Sequence, residues 1–187
     1  MARAELPGVR VIRGGIALAR PPAGGYGECA ISCGLAGGLQ RGLPTGTVLI
    51  PRTVERADGS TLACDEFMVE ALLEGARTLG IVPNEGALLT SRVLLRGAAR
   101  AQAARRGFSG VDMETGAIPA ARLAAVRVVL DTPERELSPA WLHPLTVVWQ
   151  PAAWAELPWL AREGPRCARL AARVVAAALA QSEATER

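Results

Sequence analysis

The run Val126-Arg127-Val128-Val129-Leu130-Asp131 constrains this chain more than any other stretch. A nearly unbroken β-branched and aliphatic segment is the pattern of a strand covered on both faces. Such strands belong to sheets flanked by helices. Two of the six residues are charged: Arg127 interrupts the run and Asp131 ends it, further along the same strand. In open α/β sheets, ligands bind beyond the carboxyl ends of the strands. Asp131 therefore stands where chemistry is done.

A second acid-bearing strand end lies just upstream, in Gly110-Val111-Asp112-Met113-Glu114-Thr115-Gly116. A carboxylate there can accept two hydroxyl hydrogen bonds, which is what a ribose diol offers. Met113 is a soft side chain able to lie against a flat ring or a sugar. The same acids also suit the first turn of a helix, where the dipole favours negative charge. Asp131 has two readings as well: a carboxyl that gives a proton to a leaving group, or an Asx turn ahead of Pro133. Cys33-Gly34-Leu35-Ala36-Gly37-Gly38 is a third candidate. It reads as a strand running into a glycine-rich turn whose backbone can approach an anion or a base edge, or as a plain tight turn. It is neither a GxGxxG fingerprint nor a Walker loop.

Around these stretches the chain alternates strands and helices. Short β-like pieces at Val9–Ile12 and Ile16–Leu18 flank Gly14-Gly15, and a Pro/Gly loop runs from Arg20 to Gly27. Strands follow at Cys29–Cys33, at Val48–Ile50 and ending near Thr90. Asp58-Gly59 marks a turn. Asp65 caps a helix that runs to about Thr78 and stops at Gly80, its apolar face carrying Phe67, Ala71, Leu72, Gly75 and Leu79. Leu94–Arg106 reads as a helix with an alanine inner face and an arginine outer face, ended by Gly107. A further helix is expected from Gly116 to Ala125, with Pro119 confining its start. Pro151–Arg162 and Pro165–Gln181 read as two final helices.

The resulting expectation is a single α/β domain over residues 1–187: a three-layer sandwich with a central mixed, mostly parallel sheet. Composition agrees. Half the residues are apolar but only 4% are aromatic, so the core is made of Ala, Val and Leu. The net charge of +3 is carried by scattered arginines with no lysine, a pattern that does not make a nucleic-acid stripe. Cys29, Cys33, Cys64 and Cys167 form no CxxC pair and His143 is the lone histidine, so no metal site is expected and the thiols read as reduced. No apolar run reaches the length of a membrane span, and a cytoplasmic location is expected. His143 lies in a Trp-rich stretch, Trp141 to Trp149, that is an interface candidate if exposed.

Taken in order, these stretches resemble the nucleoside phosphorylase and nucleosidase superfamily. Gly34-Leu35-Ala36-Gly37-Gly38-Leu39, followed by Leu43 to Pro51, resembles its glycine loop and the strand after it. Val111-Asp112-Met113-Glu114 resembles its V-x-M-E ribose motif, and Val126 to Asp131 its strand bearing the acid near the purine. Ala155 to Arg162 and the Ala-rich tail are similar to the hopanoid-associated phosphorylase branch, and the methylthioadenosine/S-adenosylhomocysteine nucleosidases are a second similar branch. The resemblance implies release of a free base from a purine nucleoside, by phosphorolysis or hydrolysis. Glu114 would hold the ribose hydroxyls and Asp131 would protonate N7 of the base. Asp112 and Met113 would sit beside the sugar, and the backbone at Gly34, Ala36 and Gly37 would line the site. It implies no cofactor, phosphate as co-substrate for a phosphorylase, and a homodimer or trimer-based homo-oligomer. The pattern departs from the family in an abbreviated N-terminus, and in Thr90-Ser91-Arg92 where S-G-D is usual. A non-catalytic nucleoside-binding or assembly protein on the same fold is the alternative expectation.

Overall fold

The computed structural model describes residues 9–14, 25–142 and 154–185. Its elements are β1 (Cys29–Gly38), β2 (Val48–Leu49), β3 (Thr53–Glu55), β4 (Thr61–Ala63), α1 (Glu66–Thr78), β5 (Leu88–Thr90), α2 (Gly97–Arg105), β6 (Gly110–Asp112), β7 (Arg122–Asp131) and α3 (Leu157–Thr185). Short 3-10 turns occupy Thr115–Ala117 and Pro139–Leu142. One seven-stranded sheet has the order β2-β7-β1-β6-β5-β3-β4.

Alternation along β7 builds the layers. Ala124, Val126, Val128 and Leu130 face one side, where they pack with Val69, Leu72, Leu73 and Ala76 of α1 and with Cys167, Ala171, Val174 and Ala178 of α3. Arg127, Val129 and Asp131 take the opposite face. On that side Ala103 of α2 packs with Leu39, Leu89, Phe108 and Val111. The result is the expected three-layer α/β sandwich on a mixed sheet. Parallel pairs do not predominate, however. β1–β7, β3–β5 and β5–β6 run parallel, while β1–β6, β2–β7 and β3–β4 run antiparallel. The β3–β4 pair is joined through the turn at Asp58-Gly59, and a connection that short permits only an antiparallel pair.

Asp65 caps α1 as expected. Its Oδ1 accepts from the Met68 amide at 3.0 Å, and its Oδ2 accepts from Nε of Arg122, the first residue of β7, at 2.6 Å. The helix cap is thus also a tie between α1 and the sheet. The buried face of α1 is Val69, Leu72, Leu73, Gly75 and Ala76, rotated from the expected one, and Phe67 is 73% exposed. Gly75 lets the helices meet closely: a Cβ there would lie 2.6 Å from the Ala178 amide nitrogen.

Four expectations are corrected. The glycines after Cys33 do not turn; they continue β1 to Gly38. The helix expected from Gly116 to Ala125 is only the 3-10 turn, and β7 begins at Arg122. Pro119 forces its predecessor out of helical backbone, and Ile118 is accordingly extended. The helix expected from Leu94 starts at Gly97, because Arg96 is extended. From Leu157 on, the two final helices are one, α3, which runs through Pro165; residues 151–153 of the first lie outside the described residues. Pro165 is exposed and forfeits one backbone bond. The buried stripe from Cys167 to Ala178 holds the helix on α1 and β7.

Val9 to Gly14 has no regular structure. The pieces at Ile16–Leu18, most of the Arg20–Gly27 loop, and the stretch from His143 to Trp149 lie outside the described residues. Trp141 is half-buried and its indole N–H donates to Glu156 at 2.7 Å. Among the described residues no helix is long and apolar enough to cross a membrane.

Candidate active site

A charge inside a buried strand must find partners, since an isolated buried ion is very unfavourable. Arg127 finds two carboxylates. Its Nη2 lies 2.7 Å from Asp112 Oδ2 and its Nη1 lies 3.3 Å from Glu114 Oε2. It also donates to Ser32 Oγ at 2.6 Å, to Thr115 Oγ1 at 2.8 Å and to the Leu35 carbonyl at 3.3 Å. Arg127 thus locks the end of β6 against β1 and β7.

Asp112 is saturated by this network. Oδ1 accepts from the Thr90 hydroxyl at 2.8 Å, and Oδ2 accepts from the Thr115 amide at 3.1 Å and from the Thr115 hydroxyl. The Gly116 amide in turn donates to Thr90 Oγ1 at 2.8 Å. These bonds fix the turn that carries Met113 and Glu114. Glu114 is the more accessible of the two acids, with 19% of its side chain exposed against 0% for Asp112.

Asp131 meets a different cation. Arg100 of α2 is 2% exposed, and its Nη1 lies 2.8 Å from Asp131 Oδ2. The rest of the guanidinium is spent on backbone carbonyls: Nε donates to Gly38 at 2.9 Å, Nη2 to Asp131 at 3.2 Å and Nη1 to Thr132 at 3.3 Å. Glu136 closes the network. It accepts from the Gly97 amide at the start of α2 at 2.7 Å and lies 3.4 Å from Arg96.

The two guanidinium groups explain Gly34 and Gly37 of β1. A Cβ on Gly34 would stand 2.6 Å from Arg127 Nη1, and one on Gly37 would stand 2.6 Å from Arg100 Nη2 and 3.1 Å from Asp131 Oδ1. Glycine is required there to make room for the protein's own arginines.

A small, open cavity of about 30 Å³ lies between these networks. Gly37, Val111, Asp112, Met113, Asp131 and Arg100 form its walls, with Val93 to Leu95 across from them. Of the residues singled out from the sequence, Gly37, Asp112, Met113 and Asp131 come together here. Glu114 sits beside the cavity, on Arg127, while Gly34 lies under that arginine. Ala36 is turned away, into an apolar cluster with Leu49 and Val129. Sequence reasoning missed Arg100, Thr90, Ser32, Thr115 and Glu136. A signal existed for Arg127, the one charge inside a buried run, and for Thr90, which opens the stretch that departs from the family's S-G-D. Among the described residues no cluster of His, Cys, Asp and Glu is arranged to hold a metal ion.

No protein-family model matches this sequence, and no curated protein matches it. Solved structures do match its fold. Futalosine hydrolase of Helicobacter pylori strain 26695 superposes with a TM-score of 0.62 at 14% identity, over 82% of this chain and 68% of that one. An aspartate-to-asparagine mutant of the H. pylori methylthioadenosine nucleosidase, with 5′-methylthioadenosine in its active site, gives 0.62 at 13% identity over 82% and 69%. The 5′-methylthioadenosine/S-adenosylhomocysteine nucleosidase of Neisseria meningitidis, in complex with methylthio-immucillin-A, gives 0.60 at 20% identity over 83% and 70%. These enzymes belong to the nucleoside phosphorylase and nucleosidase superfamily, and theirs is the fold this chain adopts. At such identities the likeness is one of fold.

Proposed function

We propose that this chain, built on the nucleosidase fold, hydrolyses the N-glycosidic bond of a purine nucleoside at the cavity between β1, β6 and β7. One observation carries the reading. The acid at the end of β7, Asp131, and the Met113 turn at the end of β6 are brought to the same cavity as Gly37 of the distant strand β1. On this reading the base lies towards Asp131, the sugar lies along Met113, and Glu114 takes the ribose hydroxyls. As the bond from C1′ to N9 breaks, its electron pair moves into the base. The oxygen of water joins C1′ and the water gives up a proton, while the base takes up one proton at N7, the edge that faces Asp131, so the charge is neutralised and no net proton is consumed. Acid–base assistance of this kind contributes about 10²–10⁴-fold in rate.

Water is favoured over phosphate because the nearest guanidinium groups are committed. Arg127 already faces Asp112 and Glu114, and Arg100 faces Asp131. A phosphate would have to compete with those carboxylates. The same pairing motivates a second reading, a nucleoside-binding protein without turnover, because both candidate acids are neutralised from within.

Incubation with adenosine, inosine, methylthioadenosine and S-adenosylhomocysteine, with and without phosphate, separates the readings. Free base released equally in both conditions supports hydrolysis. Release only with phosphate indicates phosphorolysis, and binding without release indicates the second reading. A homodimer or trimer-based assembly is proposed with this function, and sedimentation as a monomer counts against it.

A further inference from the structure

We propose that the exposed face of α3 docks this protein on an anionic lipid surface. The proposal is independent of the nucleoside reading, and three observations carry it. Arg162, Arg166, Arg169 and Arg173 recur at intervals of four, three and four residues, and all four are exposed. At 3.6 residues per turn they fall within about 60° of the helix circumference and form a ridge about 17 Å long. The ridge is barely neutralised from within. Buried Glu163 faces Arg162 Nε at 2.9 Å and Arg166 Nε at 2.6 Å, and from there to Gln181 α3 has no further acid. Arg169 and Arg173 have no hydrogen-bond or ion-pair partner among the described residues. On α1, by contrast, Glu70 faces Arg52 at 2.7 Å and Glu74 faces Arg77 at 3.1 Å. Beside the ridge runs an uncharged strip of Ala161, Pro165, Ala168, Ala172 and Ala176, all exposed, with Leu157 at its start.

A cationic ridge beside an apolar strip on one helix face suits a bilayer surface: the guanidinium groups meet headgroup phosphates while the strip settles among the headgroups. Nucleic acid fits this face less well. Single strands are held on aromatic platforms, and bases are read by polar side chains. The strip offers neither aromatic rings nor hydrogen-bonding groups. α3 packs lengthwise on α1 and on the face of β7 opposite Arg127 and Asp131, so it presents its side to a flat partner. No residue of the ridge or strip lines the cavity. Each arginine near an anionic leaflet strengthens association about fivefold, so three in excess of Glu163 favour it about hundredfold over a neutral bilayer.

The test is co-sedimentation with unilamellar vesicles of phosphatidylcholine alone and of phosphatidylcholine with about 30% phosphatidylserine, at about 0.1 M salt. The wild type is expected to partition about hundredfold more strongly onto the anionic vesicles. The double variant Arg169→Gln/Arg173→Gln removes two exposed, unpaired charges, so it should melt with the wild type by circular dichroism while its partitioning falls about 25-fold. The control, Arg92→Gln/Arg105→Gln, makes the same change in net charge at exposed positions off α3, and it should stay within about twofold of the wild type. No preference for anionic vesicles in the wild type overturns the proposal. An equal loss in both double variants also overturns it, since net charge and not the ridge would then set the binding. A labelled DNA duplex or single strand that binds more tightly than the vesicles, and loses affinity in Arg169→Gln/Arg173→Gln, assigns the ridge to nucleic acid and overturns the lipid proposal as well.

Discussion

Replacing Arg127 with methionine should be among the most destabilising single changes in this fold. The side chain is 5% exposed and faces Asp112, whose own side chain is fully buried, as well as Glu114. Methionine fills similar volume but leaves Asp112 a buried carboxylate with hydroxyl and amide donors and no cation. Breaking a buried ion pair from one side costs about 3–5 kcal/mol, because a charge is stranded out of water. In a domain of this size each kcal/mol moves Tm by about 2–4 °C, so a fall of about 6–20 °C is expected. Arg52→Met is the control. Arg52 also faces two carboxylates, Glu70 at 2.7 Å and Glu85 at 2.8 Å, but all three side chains are more than 40% exposed. Solvent screens an exposed pair, so this variant should melt within a few degrees of wild type. Thermal melts followed by circular dichroism decide the matter. If the two variants melt together, Arg127 is not the buried hub described, and the account of the β6–β7 junction fails.

Other consequences are open to the same instruments. Gly75→Ala places a methyl 2.6–2.9 Å from the backbone of Ala178, so α1 and α3 must part; a loss of about 1–3 kcal/mol is expected from overpacking, and an unchanged denaturation midpoint would contradict the packing. Arg122, and after it the Met68 amide, hold the Asp65 carboxyl below its ordinary value of 3.8. A lowered folded value stabilises above the unfolded one and is lost as pH falls, so the stability gap between wild type and Asp65→Asn should close below about pH 4; a gap that persists at pH 2 would exclude the linkage. Burial pushes the Cys64 thiol up to about 11, so iodoacetamide at pH 8 should spare Cys64 in the folded protein and alkylate it after unfolding, as mass spectrometry of the digests would show.

The legible parts of this structure were those in which local pattern and burial agree. Val126 to Leu130 could only be an inner strand, and the acid at its end could be placed at a ligand face. Asp65 and Gly80 bounded α1 by backbone chemistry that needs no tertiary contact. What could not be read depended on distant partners. The glycines from Gly34 to Gly38 look like a turn because glycine permits one. Their actual reason is steric: Arg127 stands where a Cβ on Gly34 would go, Arg100 where one on Gly37 would go, and Val129 crowds the position at Gly38. Arg100 stands among alanines, with Arg96, Arg105 and Arg106 nearby, so nothing local distinguishes a buried arginine from its solvated neighbours. Pro119 limits a helix after Gly116 to its first turn, and the backbone leaves helical geometry at Ile118. Asp58-Gly59 marks a turn in the sequence, and it is also a hairpin signal, which the β3–β4 pair fulfils.

Those arginines also change what an aspartate variant means. Asp131→Asn cannot be a silent change in stability, because it removes the partner of a guanidinium that is 2% exposed. Loss of activity in that variant alone would not separate chemistry from folding. The direct measurement is a crystal structure of the wild-type protein with a 9-deazanucleoside bound. The account predicts the ring N–H within about 3.2 Å of Asp131 Oδ1, Met113 against the sugar, and the ribose hydroxyls at Glu114, with the Arg100 pair intact. A nucleoside seated away from β6 and β7, or one that displaces Arg100 and binds Asp131 by another edge, would contradict it.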